Sequence, residues 1–466
     1  MDKEAFRQAG YDFIDWLADY FEQVEGLPLK ARVEPGDILY QLPEVPPTVG
    51  EPIDVLFSDF KRIIMPGITH WQHPGWFAYF PANNSPESVL AELLTAGLGA
   101  QCMIWQTSPA AAELEERVME WLGRMLGLSS HMKGVIQDTA STATLCALLS
   151  AREKATGFAS NERGVRQPLR VYASREAHSS IEKGVKIAGY GKDNLCYIDT
   201  NEAFAMIPEK LEAAIQKDID SGMAPACVVA TLGSTSSMAM DPVYAIAAIC
   251  KKYSVWLHID AAFAGTAAIV PELRHFMHGV EQADSFVFNP HKWMLTNFDC
   301  SAYFVKDPET LIQTLSINPE YLKTAADGQV KNYRDWGIQL GRRFRALKLW
   351  FVIRSYGVEG LQQMVRGHVD LARQFATWVE EEPGFELTAP PQLSLVCFRY
   401  NPGTHSEEEL TQINKQLLET VNDAGSVYLT HTVLNGKYSI RLAVGQANTK
   451  LKHVKKAWEL LLEARR

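Results

Sequence analysis

Over residues 6–24, apolar side chains fall at helical spacing (Phe6, Phe13, Ile14, Leu17, Tyr20, Phe21, Val24), with Asp12, Asp15, Asp19 and Glu22 between them. This predicts an amphipathic helix whose apolar face needs a cover. Periodicity leaves two covers open: the helix's own chain, or a partner subunit reached across the extended, Pro-rich stretch that follows (Pro35, Pro43, Pro46, Pro47, Pro52). From about Pro109 to Ser355, helix-like stretches alternate with short apolar or β-branched runs at 169–172, 226–231, 255–259, 286–288 and 302–305. That alternation predicts an α/β domain around a mostly parallel sheet. After Tyr356 the order changes. A helix at 360–379 precedes strand-like runs at 385–388, 393–400, 426–433 and 438–444, with further helices at 407–422 and 450–464, which predicts a smaller α+β domain. There is no internal repeat or low-complexity tract.

Composition narrows the class. At 466 residues, 47% hydrophobic and 21% charged, the chain is long enough for two or three globular units. A net charge of −10 disfavours nucleic acid or an anionic membrane as main partner. No stretch approaches the ~18 to 20 apolar residues of a spanning helix. The start, Met1-Asp2-Lys3-Glu4, lacks a signal peptide's basic and apolar segments, so the cytoplasm is the expected compartment. Seven scattered cysteines without a CxxC read as reduced core residues, and no metal site is expected.

The chemistry lies at strand ends. The run 255–259 leads into Asp260 and then Ala261, Ala262, Phe263, Ala264 and Gly265, all small but the phenylalanine. In open α/β sheets ligands bind beyond the carboxyl ends of strands, although an acid there also serves as an ordinary cap or turn former. The run 286–288 leads into Asn289, Pro290, His291 and Lys292. A lysine so placed either folds back to solvent or is held neutral as a Schiff-base former, and its pairing with Asp260 favours the second. An aldehyde cofactor with a pyridine ring would use both: Lys292 to bond the aldehyde, Asp260 to keep the ring nitrogen protonated. At 135–144 a short strand, a hydroxyl-rich turn and a helix from 145 to 154 offer a phosphate site, or a plain N-cap at Asp138 or Thr139. A second hydroxyl cluster, Ser234 to Ser237, follows the strand ending at Thr231. His178 lies past another strand end, where it is either structural or stacked on the ring.

Together these segments resemble the group II pyridoxal-phosphate decarboxylases, most closely the aromatic L-amino-acid decarboxylases. The likeness rests on HWQHPGWFAYFP at 70–81, SPAAAELE at 108–115, GVIQDTAS at 134–141, AHSS at 177–180, ATLGSTS at 230–236, HIDAAFAG at 258–265, FNPHKW at 288–293 and LGRRFR at 340–345. It implies an aminotransferase-like type I fold in a homodimer with its active site at the subunit interface. The expected division is an N-terminal helical dimerisation segment (1–75), a large cofactor-binding α/β domain (76–355) and a C-terminal α+β domain (356–466). It also shifts the cover of the first helix toward the partner. By the same resemblance Lys292 carries pyridoxal 5′-phosphate, Asp260 pairs with the ring nitrogen, His178 stacks on the ring, and Ala140 and Ser141 hold phosphate. Thr235, Ala262, Asn289, His291 and Gly341 are similar to cofactor-contacting positions.

The polar, Gly-containing segment 321–332 reads as a mobile loop, and the resemblance makes its Tyr321 the proton donor to Cα after CO₂ is lost. Aldehyde-forming members of this family typically replace that tyrosine with phenylalanine or the stacking histidine with asparagine. This chain keeps Tyr321 and His178, so an amine is the expected product. Trp71, Tyr79, Phe80, Pro81 and Ala82 would supply an aromatic wall, with Gln101 and Met103 beside it. Gly341, where relatives carry glycine or serine, leaves room for indole and makes tryptophan the first expectation. Gln101, Met103 and Ala82 depart from the usual pocket residues, so phenylalanine, tyrosine and dihydroxyphenylalanine stay in view. The rival readings are an aldehyde synthase, a decarboxylase of histidine or glutamate, another lysine-linked pyridoxal enzyme such as an aminotransferase or cysteine desulfurase, and a cofactor-free homologue.

Overall fold

The computed structural model describes residues 1–317, 326, 328–403 and 405–465. Seven strands form the main sheet: β1 (Lys133–Gln137), β2 (Leu169–Ser174), β3 (Leu195–Ile198), β4 (Ala224–Thr231), β5 (Trp256–Asp260), β6 (Ser285–Phe288) and β7 (Ser301–Val305). Their order is β1-β7-β6-β5-β4-β2-β3. The pairs from β6 through β5, β4 and β2 to β3 are parallel, whereas β7 runs against both neighbours, β6 and β1. All five residues of β5 are buried, as a strand covered on both faces requires.

The helix Ala140–Ala155 packs on this sheet through small residues, burying Ala143, Cys146, Ala147 and Ala151 together with Leu148. It begins earlier than the sequence pattern predicts. The hydroxyl-rich stretch is its first turn, because Thr139 Oγ1 accepts from the Thr142 N–H and caps it.

The second sheet holds β8 (Phe385–Leu387), β9 (Leu395–Tyr400), β10 (Thr430–Leu434) and β11 (Lys437–Ala443), all antiparallel in the order β10-β11-β9-β8. The helices Glu407–Asp423 and Leu451–Ala464 complete this unit. The helix expected at 360–379 is the second part of a longer one, Arg345–Glu381, bent at Gly357, whose φ of 64° takes the left-handed conformation that glycine tolerates. The strand expected from 426 starts only at Thr430. Before it, Tyr428 bridges to Trp76 in the segment leading to the large sheet.

The first helix, Lys3–Gln23, has no buried residue among those described. Trp16 packs edge-on against Phe57 and Phe60, and Tyr20 Oη lies 2.9 Å from His70 Nδ1, so one side docks on its own chain. Phe6 and Tyr11 stay exposed, and Ile14, Leu17 and Phe21 line an apolar groove of about 510 Å³ with Val89, Leu90 and Tyr356. Among the described residues no helix is long and apolar enough to cross a membrane, and no group of His, Cys, Asp or Glu could hold a metal.

Candidate active site

A cavity of about 250 Å³ opens at the carboxyl ends of β4, β5 and β6. Ten of the residues singled out from sequence line it: Phe80, Ala140, Ser141, His178, Thr235, Asp260, Ala262, Asn289, His291 and Lys292.

Lys292 sits on the short helical turn Pro290–Trp293 directly after β6. Burial pushes its amine below the ordinary lysine range, and the Asp260 carboxylate opposes that shift. Lys292 is therefore prone to lose its proton and act as a nucleophile. Its Nζ lies 5.7 Å from the centroid of Phe80. Phe80 stacks on Phe263 at 4.1 Å, Phe263 stacks on Trp293 at 4.6 Å, and Trp293 Nε1 donates to His368 Nδ1 at 2.9 Å. This column of rings runs from the cavity to the buried long helix. Each stacked pair adds about 0.5–1.5 kcal/mol beyond area burial.

Asp260 closes β5, and its Oδ1 accepts the Ala262 N–H at 3.1 Å. Two residues earlier on the same face of the strand, His258 lies fully buried. Its Nδ1 is 2.9 Å from Ser285 Oγ, and its Nε2 is 3.3 Å from Thr144 Oγ1 on the helix Ala140–Ala155. Burial pushes its pKa down to about 4. This neutral imidazole ties the strand carrying Asp260 to the helix whose N-terminus borders the cavity. That N-terminus presents unsatisfied backbone N–H groups and a favourable dipole to an anion.

His291 accepts the Cys300 N–H on Nδ1 at 2.9 Å, and burial followed by Lys292 pushes its pKa down to about 3. It is held neutral, with its proton on Nε2. Asn289 accepts the Ser301 hydroxyl at 2.6 Å. His178 lines the cavity from its exposed side, with Nδ1 taken by the Ser180 N–H. Its pKa is lowered by burial, against the pull of Asp260. Thr231 Oγ1, also on the cavity wall, is buried and finds no hydrogen-bond partner among the described residues. It is a polar atom in need of a ligand.

The remaining expectations fall elsewhere. Trp71 and Tyr79 stack on each other at 5.8 Å on the surface, with Trp71 also 4.4 Å from the buried Trp76. Pro81 and Ala82 lie beyond the cavity wall. Gln101, Met103 and Gly341 form a separate cluster: Gln101 Oε1 accepts the Arg342 N–H at 2.7 Å, and Met103 O accepts the Arg334 N–H at 2.8 Å. Tyr321 lies outside the described residues.

Sequence reasoning did not single out Ser180, Gly233 and Phe263 as lining residues, and named Thr139 only as an alternative cap and Thr231 only as a strand end. It also missed Arg441 on β11. This buried guanidinium donates to the carbonyls of Thr235 (2.7 Å), Ser236 (3.1 Å) and Tyr79 (3.3 Å), joining the second sheet to the cavity loops. The strand-end rule that found Asp260 also covers Thr231. No sequence signal reaches Arg441.

Known proteins resemble this chain over nearly its whole length. Residues 35–401 match the family described as "Pyridoxal-dependent decarboxylase conserved domain". Tyrosine decarboxylase 4 of Petroselinum crispum is 44% identical over 477 aligned residues, covering 99% of this chain and 93% of that one. The crystal structure of Oryza sativa TDC with PLP and tryptamine superposes with a TM-score of 0.97 at 38% identity, covering 100% of this chain and 98% of the other. Rhodiola rosea 4-hydroxyphenylacetaldehyde synthase gives a TM-score of 0.93 at 35% identity with the same coverage.

Proposed function

Because the chain belongs to the pyridoxal-dependent decarboxylases, in the group acting on aromatic amino acids, and uses pyridoxal 5′-phosphate, we propose that it converts an aromatic L-amino acid, tryptophan foremost, to the arylalkylamine and CO₂. The observation that carries this reading is the meeting of Lys292, Asp260 and the N-terminus of the helix Ala140–Ala155 around one cavity. The residues fit the cofactor. An amine that gives up its proton faces the cavity, a carboxylate lies across from it, an anion site borders it, and the orphaned Thr231 Oγ1 awaits a partner.

In the proposed mechanism Lys292 Nζ would hold the cofactor covalently at the end of β6. Asp260 would keep the ring nitrogen protonated, since a carboxylate within about 4–6 Å favours such a proton by about one to three pKa units. Ala140 and Ser141 take the phosphate at the helix N-terminus. Thr235, Ala262, Asn289 and neutral His291 complete the contacts, and His178 covers one ring face and limits water. When bound, the cofactor supplies the electron sink for the pair released with CO₂. Tyr321 delivers a proton to Cα, which commits the product to the amine.

A second copy completes the site in this reading. Leu93, Leu94, Leu98, Ile338 and Leu340 are exposed around Gln101 and Gly341, and Phe6 and Tyr11 remain uncovered on the first helix. A homodimer would cover these apolar groups, and would bring Gln101, Met103 and Gly341 to the partner's cavity beside Trp71, Tyr79, Phe80, Pro81 and Ala82. Gly341 supports the larger ring: a Cβ there would sit 3.4 Å from Gln101 Nε2, so a bulkier residue would narrow this corner. Seven free cysteines fit a reducing cytoplasm.

The test is a panel of tryptophan, phenylalanine, tyrosine, dihydroxyphenylalanine, histidine and glutamate, scored for CO₂, amine and hydrogen peroxide, with Lys292→Ala as control. Amine from tryptophan without peroxide is expected, and Lys292→Ala should lose the visible absorbance of bound cofactor. Histidine or glutamate as best substrate, or peroxide matching CO₂, would overturn the reading.

A further inference from the structure

We infer that Asn83 is a positioning residue for the catalytic lysine, locking the Lys292 turn and the second sheet's exit loop to one amide. Asn83 is 1% exposed, and its side chain makes three hydrogen bonds there. Nδ2 donates to Lys292 O at 2.6 Å and to Gly445 O at 2.7 Å, while Oδ1 accepts the Ala447 N–H at 2.9 Å. Its backbone N–H donates to His291 O at 3.2 Å.

The turn Pro290–Trp293 is so short that its last carbonyls have no helical partner, and in a buried place water cannot easily replace one. Asn83 satisfies two of them, those of His291 and Lys292. Three chain segments distant in sequence therefore share one anchor: the stretch after Pro81, the lysine turn and residues 445–447. The register of Lys292 over the cavity is set by that anchor, since the side chain extends from a backbone whose carbonyl Asn83 holds. The inference rests on the reading of Lys292 as the cofactor's attachment point.

Asn414 provides a matched control. It is equally buried and makes the same set of bonds: Nδ2 to Tyr400 O (2.8 Å) and Leu410 O (2.9 Å), and Oδ1 from the Tyr400 N–H (2.8 Å). It sits on the helix Glu407–Asp423 and bonds to the last residue of β9, apart from the cavity lining. Asn83→Ala, Asn83→Asp and Asn414→Ala should each lower the melting temperature. The two Asn83 variants should also weaken pyridoxal phosphate binding by about tenfold or more and cut kcat by about 10- to 100-fold. Asn414→Ala should leave both near wild type. Asn83→Asp keeps the shape but turns a donor into an acceptor facing two carbonyls, so it should be at least as impaired as Asn83→Ala.

If the Asn83 variants fail to fold, the wild-type chain still decides the matter. On cofactor binding, amide exchange should slow at 82–84 and 445–447 and stay unchanged at 407–414. Asn83→Asp behaving as wild type, Asn414→Ala weakening the cofactor equally, or no local slowing of exchange would each overturn the inference. Borohydride trapping with mass spectrometry separates this from the larger reading. Cofactor fixed to a lysine other than Lys292 defeats the proposed mechanism, whereas cofactor fixed to Lys292 with normal affinity in the Asn83 variants defeats only the role of Asn83.

Discussion

A fall in pH from 7 to 5 acts on three imidazoles that the folded chain holds neutral. His258, His291 and His368 are buried, and burial pushes their pKa values down to about 4, 3 and 4 from the ordinary 6.5. In the unfolded chain each regains its ordinary value and takes up a proton that the folded state refuses. A depressed folded pKa thus means stability that is complete above about pH 6.5 and lost as the pH falls toward the folded values. At about 1.4 kcal/mol per pH unit for each proton, one such imidazole costs roughly 2 kcal/mol at pH 5. Asp241 works in the opposite sense. Burial raises its carboxyl to about 6, against the N–H groups of Met206 and Thr231 that donate to it, so the folded state gains a proton below pH 6 and recovers roughly 1.4 kcal/mol. Exposed pairs such as Glu272 with Arg366, which holds that carboxyl down to about 2, titrate below the window. For these four groups the balance is a loss of roughly 4–5 kcal/mol between pH 7 and 5, a large part of a typical total of ~5–15 kcal/mol. Urea unfolding followed by tryptophan fluorescence at pH 7, 6 and 5 reads it directly. A midpoint that stays level or rises toward pH 5 refutes the assignment of these histidines as buried and neutral.

Three further outcomes are expected. Asp260→Asn keeps the shape of the strand end but removes the charge proposed to hold a proton on the cofactor ring, so kcat should fall by on the order of 10 to 1000 with cofactor still bound; a change below about threefold would exclude that role for Asp260. Tyr321→Phe and His178→Asn should each divert product from amine toward aldehyde, ammonia and hydrogen peroxide, measured by peroxide yield per CO₂, and unchanged product ratios in both would remove these residues from control of the outcome. Phe263→Ala deletes the middle of the ring column between Phe80 and Trp293 and should cost about 3–5 kcal/mol in denaturant unfolding, while a loss under about 1 kcal/mol would mean the column contributes little.

Much of the fold is legible in the chain because the central strands are covered on both faces and therefore read as short apolar runs, as 256–260 does. The strand Leu195–Ile198 escapes such reading because it is a short edge strand that alternates with exposed positions such as Tyr197. The start of the helix at Ala140 is hidden by Ser and Thr, whose low helix propensity suggests a turn; capping by Thr139 and the burial of Ala143 and Thr144 override it. Gly357 reads as a helix end, yet helical pattern resumes on both sides of it. In the site, residues at strand ends are legible because position and chemistry coincide in one short stretch. Asn83, His258 and Arg441 are not, since each acts by joining segments far apart in sequence, such as Asn83 with Lys292. Trp71, Gln101 and Gly341 belong to surfaces whose purpose a single chain does not display.

The reversal of β7 has a consequence for how this protein can change. Because β6 and β7 are adjacent and opposed, with Phe288 paired to Ala302, the stretch 289–300 leaves and re-enters the sheet at the same end of two neighbouring strands and is held at both ends. An added or deleted residue between Asn289 and Trp293, where every residue but Lys292 is buried, would rotate Lys292 away from Asp260. The turn at Asn435 and Gly436, between β10 and β11, faces no such constraint. A library of single-residue insertions grown under selection for decarboxylation should therefore empty at 289–293 and stay populated at 435–436, marking the lysine turn as a part of this chain whose length is not free to drift.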